Sequence, residues 1–105
     1  MPDPISPSEL DKVIHERARL AIMAALAAVD GMTFTELKDA VHMSDGNLSV
    51  HARVLESARY VRITKRFVLR KPQTLLRLTP EGRQAFRRYL DQLERIVAQS
   101  KGDTT

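Results

Sequence analysis

Residues 44–58 read Ser44-Asp45-Gly46-Asn47-Leu48-Ser49-Val50-His51-Ala52-Arg53-Val54-Leu55-Glu56-Ser57-Ala58, and the reading of this stretch decides the fold. Ser44 offers a side-chain cap, Asp45 places an acid in the first turn, and Leu48, Ala52 and Leu55 follow at helical spacing. A helix is predicted from Ser44 to about Ala58. Just upstream, Thr35 follows Phe34 and precedes Glu36-Leu37-Lys38-Asp39, which predicts a threonine-capped helix to about Val41 with Phe34, Leu37 and Val41 toward the core. Two short helices joined by a tight connection have the lengths of a helix-turn-helix, whose second helix enters the major groove of DNA. Opposite its apolar side, that helix carries Asp45, Asn47, Ser49, Val50, His51 and Arg53. Side chains of this kind reach phosphates or base edges, asparagine being suited to adenine and arginine to guanine. Any exposed helix face is polar, however, so a solvated surface fits the same residues.

Downstream, the period changes from helical to two. From Tyr60 onward, Val61, Ile63 and Lys65 alternate with Arg62, Thr64 and Arg66, and a second strand is predicted over about Thr74 to Leu78, after a loop from Val68 to Gln73. Lys65, Arg66, Arg70 and Lys71 fall at or near that connection, where an ordinary turn uses Gly, Asn or Asp. Four cations there repel one another, and a phosphate backbone or a minor groove is the partner that offsets the repulsion. Thr79-Pro80-Glu81-Gly82 then caps a last helix from Pro80 to about Gln99. Its Phe86, Leu90, Leu93 and Val97 recur at spacings of 4, 3 and 4, and Tyr89 and Ile96 widen the apolar surface. Such a surface serves a second subunit, its own domain, or both.

Upstream, Pro2, Pro4 and Pro7 disfavour regular structure, and residues 1–7 are expected to be flexible. Ser8-Glu9-Leu10-Asp11 offers a helix start, with Leu10, Val13 and Ile14 on one face, as companions of the last helix in a dimer interface. After the polar stretch from His15 to Arg19, Leu20, Met23, Ala24 and Ala27 resume the helical period, and the pattern is compatible with one helix or two. Asp30-Gly31 ends it. The element order is helix, helix, helix, hairpin, long helix: a mainly α domain with a small β-hairpin over residues 8–99, followed by a flexible tail at 100–105.

The whole chain bounds the same reading. Its 105 residues, 43% hydrophobic and 29% charged, fit one soluble globular domain. No apolar run approaches the roughly 18 residues of a membrane span, and the first residues do not form a secretory signal, so the cytoplasm is the expected location and no membrane partner is expected. With no cysteine, disulfides, thiolate catalysis and cysteine-based zinc sites are closed. Residues 1–61 hold 6 Lys/Arg against 9 Asp/Glu, a net of −3, whereas residues 62–95 hold 10 against 3, a net of +7. A polyanion is the natural partner of the second block.

The stretch from Ser44 to His51, continuing through Leu55-Glu56-Ser57-Ala58, resembles the recognition-helix signature of ArsR-type and MarR-type winged-helix regulators, with Ser49 and His51 at its paired serine and histidine. Thr74-Leu75-Leu76-Arg77-Leu78-Thr79-Pro80-Glu81-Gly82-Arg83 resembles the strand-to-helix junction that closes the wing in MarR-like proteins. The similarity spans about residues 8 to 97. It implies a winged helix-turn-helix that binds a pseudo-palindromic operator on double-stranded DNA as a homodimer, one recognition helix and one wing per half-site, most often as a repressor. Arg59 departs from the pattern, since relatives place glycine after the recognition helix; a positive φ at Arg59 would cost about 1 kcal/mol.

Other chemistries find no support. His15, His42 and His51 are isolated from one another and from cysteine, so no metal and no cofactor is expected. Ser44, Ser49, His51 and Asp45 lie within two turns of one helix with no oxyanion-forming glycine loop, which excludes a catalytic triad. No residue marks an effector pocket. The competing reading is a winged helix used as a protein-interaction module without base readout, against which the basic hairpin stands.

Overall fold

The computed structural model describes residues 9–102, so the expectations for residues 1–7, for Ser8 and for residues 103–105 lie outside the described residues. The elements run α1 (Arg17–Ala27), β1 (Met32–Thr33), α2 (Phe34–Val41), α3 (Asp45–Ser57), β2 (Val61–Val68), β3 (Lys71–Leu78) and α4 (Pro80–Gly102). This is the mainly helical order expected, with one strand added. β1 pairs antiparallel with β3 through Met32↔Leu76 and Thr33↔Leu75, giving a sheet of order β1-β3-β2. Two residues are too few to show a period of two, and only the partner strand makes them a strand.

The segment before α1 is not the helix expected. Asp11 Oδ1 accepts the N–H groups of Val13 and Ile14 at 2.8 and 3.2 Å, which gives the backbone a turn in place of a helical ladder. Helix begins only at Arg17, where the Glu16 carboxylate takes the otherwise unpaired N–H groups of Ala18 and Arg19. Leu10 and Ile14 thereby turn inward. They join Ile22, Met23 and Leu26 of α1, Leu37 of α2, Leu48 and Leu55 of α3, Val61, Leu76 and Leu78 of the sheet, and Phe86 and Tyr89 of α4 in one core.

The cap of α2 is Thr33 and not Thr35. The Thr33 hydroxyl accepts the Glu36 N–H at 3.1 Å and the Glu36 carboxylate accepts the Thr33 N–H at 2.9 Å. This reciprocal box needs an acid three residues after the cap, which Thr33 has and Thr35 lacks. The two bonds from Thr33 hold the Glu36 carboxyl below the usual carboxylate range.

At the end of α3, Tyr60 N–H donates to Leu55 C=O at 3.0 Å and Arg59 N–H to Glu56 C=O at 2.9 Å, with Arg59 at φ 66°. These are the paired bonds of a helix end whose left-handed residue is ordinarily glycine. Tyr60 then meets the start of α4. Thr79 N–H donates to Tyr60 C=O at 3.0 Å, the Thr79 hydroxyl donates to Arg59 C=O at 2.6 Å, and it accepts the Gly82 N–H at 2.9 Å. A Cβ on Gly82 would lie 2.1 Å from Tyr60 O, so only glycine permits this approach. Arg83 donates to the carbonyls of Ala27 and Val29, fastening α4 to the end of α1. α4 continues to Gly102, past the expected end at Gln99 and through the first residues of the expected tail.

β2 and β3 pair residue for residue from Val61↔Leu78 to Val68↔Lys71. The expected loop from Val68 to Gln73 is therefore mostly strand, and the connection is the two-residue turn Leu69-Arg70, with φ of 51° and 67°. Two left-handed residues match the twist of a hairpin and normally call for Asn-Gly.

Candidate nucleic-acid interface

The buried side of α3, Leu48, Ala52 and Leu55, is fixed against the core, and this sets what the opposite side presents. Asn47, Val50, Arg53 and Val54 are exposed there, Val50 at 61% and Val54 at 36%. Val54 was missed by the sequence reading; its signal is the i, i+4 spacing from Val50.

Ser49 and His51 flank this strip on opposite sides. Two residues apart on a helix differ by about 200° in direction, so they cannot share a face. Ser49 turns toward the wing and lines a cleft of about 470 Å³ with Arg53 and Glu56 of α3, Lys65 of β2 and Thr74 of β3. His51 turns toward α1, where Arg19 Nη1 donates to its Nδ1 at 3.2 Å and Glu16 Oε1 lies 3.6 Å away. The N–H groups of Ala18 and then Arg19, with His51 and the Arg19 guanidinium beside them, hold the Glu16 carboxyl below its usual value.

Ser44 and Asp45 set the start of α3. The Ser44 hydroxyl accepts the Asn47 N–H at 3.2 Å, and Asp45 Oδ1 pairs with Lys38 Nζ of α2 at 2.9 Å. Hydrogen bonding to Asp45, and its charge, raise the Lys38 pKa. The pair ties together the two helices of the motif and answers the one carboxylate that would repel a phosphate at this helix start.

On the wing, Lys65, Arg66, Arg70 and Lys71 are all exposed. Arg66 Nε donates to Gln73 Oε1 at 2.9 Å across the strands, which holds the guanidinium beside the hairpin. Directly paired residues project to one face of a sheet, so Arg62 and its partner Arg77 stand together on the face that also carries Arg66. Arg62 and Arg77 extend the basic charge to the sheet face opposite the one that lines the cleft through Ile63, Lys65, Thr74 and Leu76, and sequence reading missed them because their juxtaposition exists only in the register. The tip itself is apolar: Phe67 is 78% and Leu69 91% exposed.

The structure divides the residues expected at a dimer interface. Leu10, Ile14, Phe86 and Tyr89 are buried in the chain's own core. Val13, Leu93 and Ile96 are half-buried against that core, and Leu90 and Val97 are exposed. The Tyr89 hydroxyl lies 2.7 Å from His15 Nδ1, which satisfies the polar end of a buried ring. Among the described residues no three His, Asp or Glu side chains come together to hold a metal ion, and no helix is long and apolar enough to cross a membrane.

The geometry has counterparts. Residues 18–97 match the family model of the winged helix DNA-binding domain. An uncharacterized protein of Methanocaldococcus jannaschii is 30% identical over 79 residues, covering 75% of this chain and 86% of that protein. The structure of a transcriptional regulator homologue from Pyrococcus horikoshii superposes with a TM-score of 0.79 at 26% identity, covering 84% of this chain and 87% of that one. A MarR family transcriptional regulator from Silicibacter pomeroyi shares the fold with a TM-score of 0.64 at 20% identity; the match covers 89% of this chain and 62% of that regulator. The matched family is one of DNA binders and not of enzymes. By the family model, which spans α1 to α4 and takes in α2, α3 and the β2–β3 wing, the chain belongs to the winged helix DNA-binding domain family.

Proposed function

We propose that this protein is a sequence-specific transcriptional regulator, a repressor, that binds double-stranded DNA as a homodimer with α3 in the major groove and the wing on the flanking backbone. The observation that carries the reading is the shared cleft, in which Ser49 and Arg53 of α3 face Lys65 and Thr74 of the wing. One surface thus presents groups for base edges next to groups for phosphates. Asn47, Val50, Arg53 and Ser49 are the base-facing set, with Val50 apolar enough to meet a thymine methyl. Arg66, Arg70 and Lys71 clamp the backbone. His51 acts from the flank, tied to Arg19 and Glu16, and Ser44 and Asp45 orient the helix rather than read bases.

The dimer is assigned to α4. Leu90 and Val97 form its outward apolar edge, and the half-buried Leu93 and Ile96 continue it toward the core. Two copies joined there carry two recognition helices, suited to half-sites about one helical turn, roughly 34 Å, apart.

The test separates the two sets of contacts. Arg70→Ala with Lys71→Ala weakens binding to all sequences alike and flattens the log–log salt dependence by about 2 per subunit, at roughly 0.9 per phosphate contact. Asn47→Ala instead relaxes sequence preference and leaves the slope in place. An unchanged slope in the wing variant overturns the clamp.

A further inference from the structure

We propose that Leu69 is an apolar wedge: at the tip of the wing it presses into the minor groove beside the site contacted by α3 and opens one base step in each half-site. The proposal rests on the DNA-binding reading above and specifies what the wing does there.

Three successive apolar side chains stand at the tip, Phe67 at 78%, Val68 at 41% and Leu69 at 91% exposure. Neither the core nor the turn explains them. The tip lies at the far end of strands whose buried residues are Val61, Leu76 and Leu78, at the opposite end of the hairpin. Leu69 and Arg70 also hold a left-handed backbone that suits Asn-Gly and disfavours both side chains present. A strained turn that exposes a leucine to water points to a partner that receives it.

Charge identifies that partner. Residues 57–80 contain no Asp or Glu and include Arg59, Arg62, Lys65, Arg66, Arg70, Lys71 and Arg77. An apolar point within an unbroken cationic field fits a surface that is anionic outside and apolar within, which is the minor groove between its phosphate ridges. The groove is about 6 Å wide, too narrow for a helix and open to one leucine. Strands of eight residues reach roughly 25 Å, enough to leave the major groove and meet the neighbouring minor groove. Leucine belongs to the side chains that partly unstack base steps in this way.

The experiment begins with duplexes selected from a randomised pool by the wild-type protein. 2-Aminopurine is then placed at successive positions flanking the selected site, and its fluorescence, which rises on unstacking, is read on binding. The comparison is Leu69→Asn, which leaves every charge in place and gives the turn a residue that accepts a left-handed backbone, so folding is preserved and the melting temperature does not fall. The expected result is a rise at one step on each side with wild type, no rise with L69N, an affinity loss of about tenfold, and an unchanged salt slope. Equal affinity and an equal fluorescence pattern for L69N overturn the wedge. So does an L69N variant that changes only the oligomer mass, since the tip then joins copies of this chain. A wild-type protein that selects no duplex defeats the DNA-binding reading itself, whereas one that binds without a fluorescence rise defeats only the wedge.

Discussion

Replacing Gly82 by alanine sets two opposing effects against each other, and the structure decides the sign. Gly82 lies in the first turn of α4, where alanine's greater helix propensity is worth up to about 1 kcal/mol. Against that gain, the new Cβ would stand 2.1 Å from Tyr60 O, 2.9 Å from Tyr60 C and 3.0 Å from its Cα. Relief needs a separation of about 1 Å between two backbones, and neither is free to move. Tyr60 is held by its N–H on Leu55, its carbonyl on Thr79 N–H and its hydroxyl on the Asp11 carboxylate. α4 is held by Arg83 on the end of α1. Overpacking of this kind costs roughly 1–3 kcal/mol, and the loss of the Thr79–Tyr60 bond adds about 1. The net expectation, with the full propensity gain set against the two costs, is destabilisation by about 1–3 kcal/mol, read as the shift of the urea midpoint at constant m. A G82A protein as stable as wild type, or more so, would show that the contact between α4 and the end of α3 yields easily and would refute the reasoning.

The same junction yields a stabilising change. Arg59→Gly relieves a left-handed residue worth roughly 1–2 kcal/mol, less about 0.5–1 for glycine's freedom in the unfolded chain, so the melting temperature rises by a few degrees; a fall would refute the strain. Tyr60→Phe removes the hydroxyl that donates to Asp11. Burial first, then that hydrogen bond and the Asp11 charge, push the Tyr60 pKa up to about 12 from 10.0. A raised folded pKa stabilises below the unfolded value and is lost as pH rises through the folded one. The stability gap between wild type and Y60F, about 1–2 kcal/mol at neutral pH, therefore shrinks from pH 10 to 12; a constant gap would contradict the assignment. Leu90→Asp combined with Val97→Asp is expected to convert the proposed dimer to a monomer by light scattering while the melting transition is kept, and a dimer mass unchanged by the pair would contradict the assignment to α4.

The residues that made α3 legible were its cap and three apolar positions at helical spacing, signals confined to fifteen consecutive residues. Where the deciding partner was remote or the local signal absent, the reading stopped short. β1 exists only because Met32 and Thr33 meet Leu76 and Leu75 some forty residues later. The hairpin's length was hidden because Leu69 and Arg70 carry no turn chemistry, and their left-handed backbone is imposed by strands that pair to the last residue. The separate directions of Ser49 and His51 follow from helical arithmetic and were available in the sequence; the Arg19 and Glu16 that receive His51 were not. For α4, a broad apolar surface does not distinguish its own core from a second copy. The packing turns Phe86 and Tyr89 inward and leaves Leu90 and Val97 outside.

The central claim is that this surface binds duplex DNA through its cationic wing. A salt titration of binding to random-sequence duplex by fluorescence anisotropy, with the mass of the species recorded on the same sample, tests it most directly. Three wing cations in each subunit of a dimer, Arg66, Arg70 and Lys71, give an expected log–log slope of about −5, carried by a species of twice the chain mass. No binding at low salt, or weak binding that salt does not change, would contradict the claim and turn the wing into a surface for a protein partner.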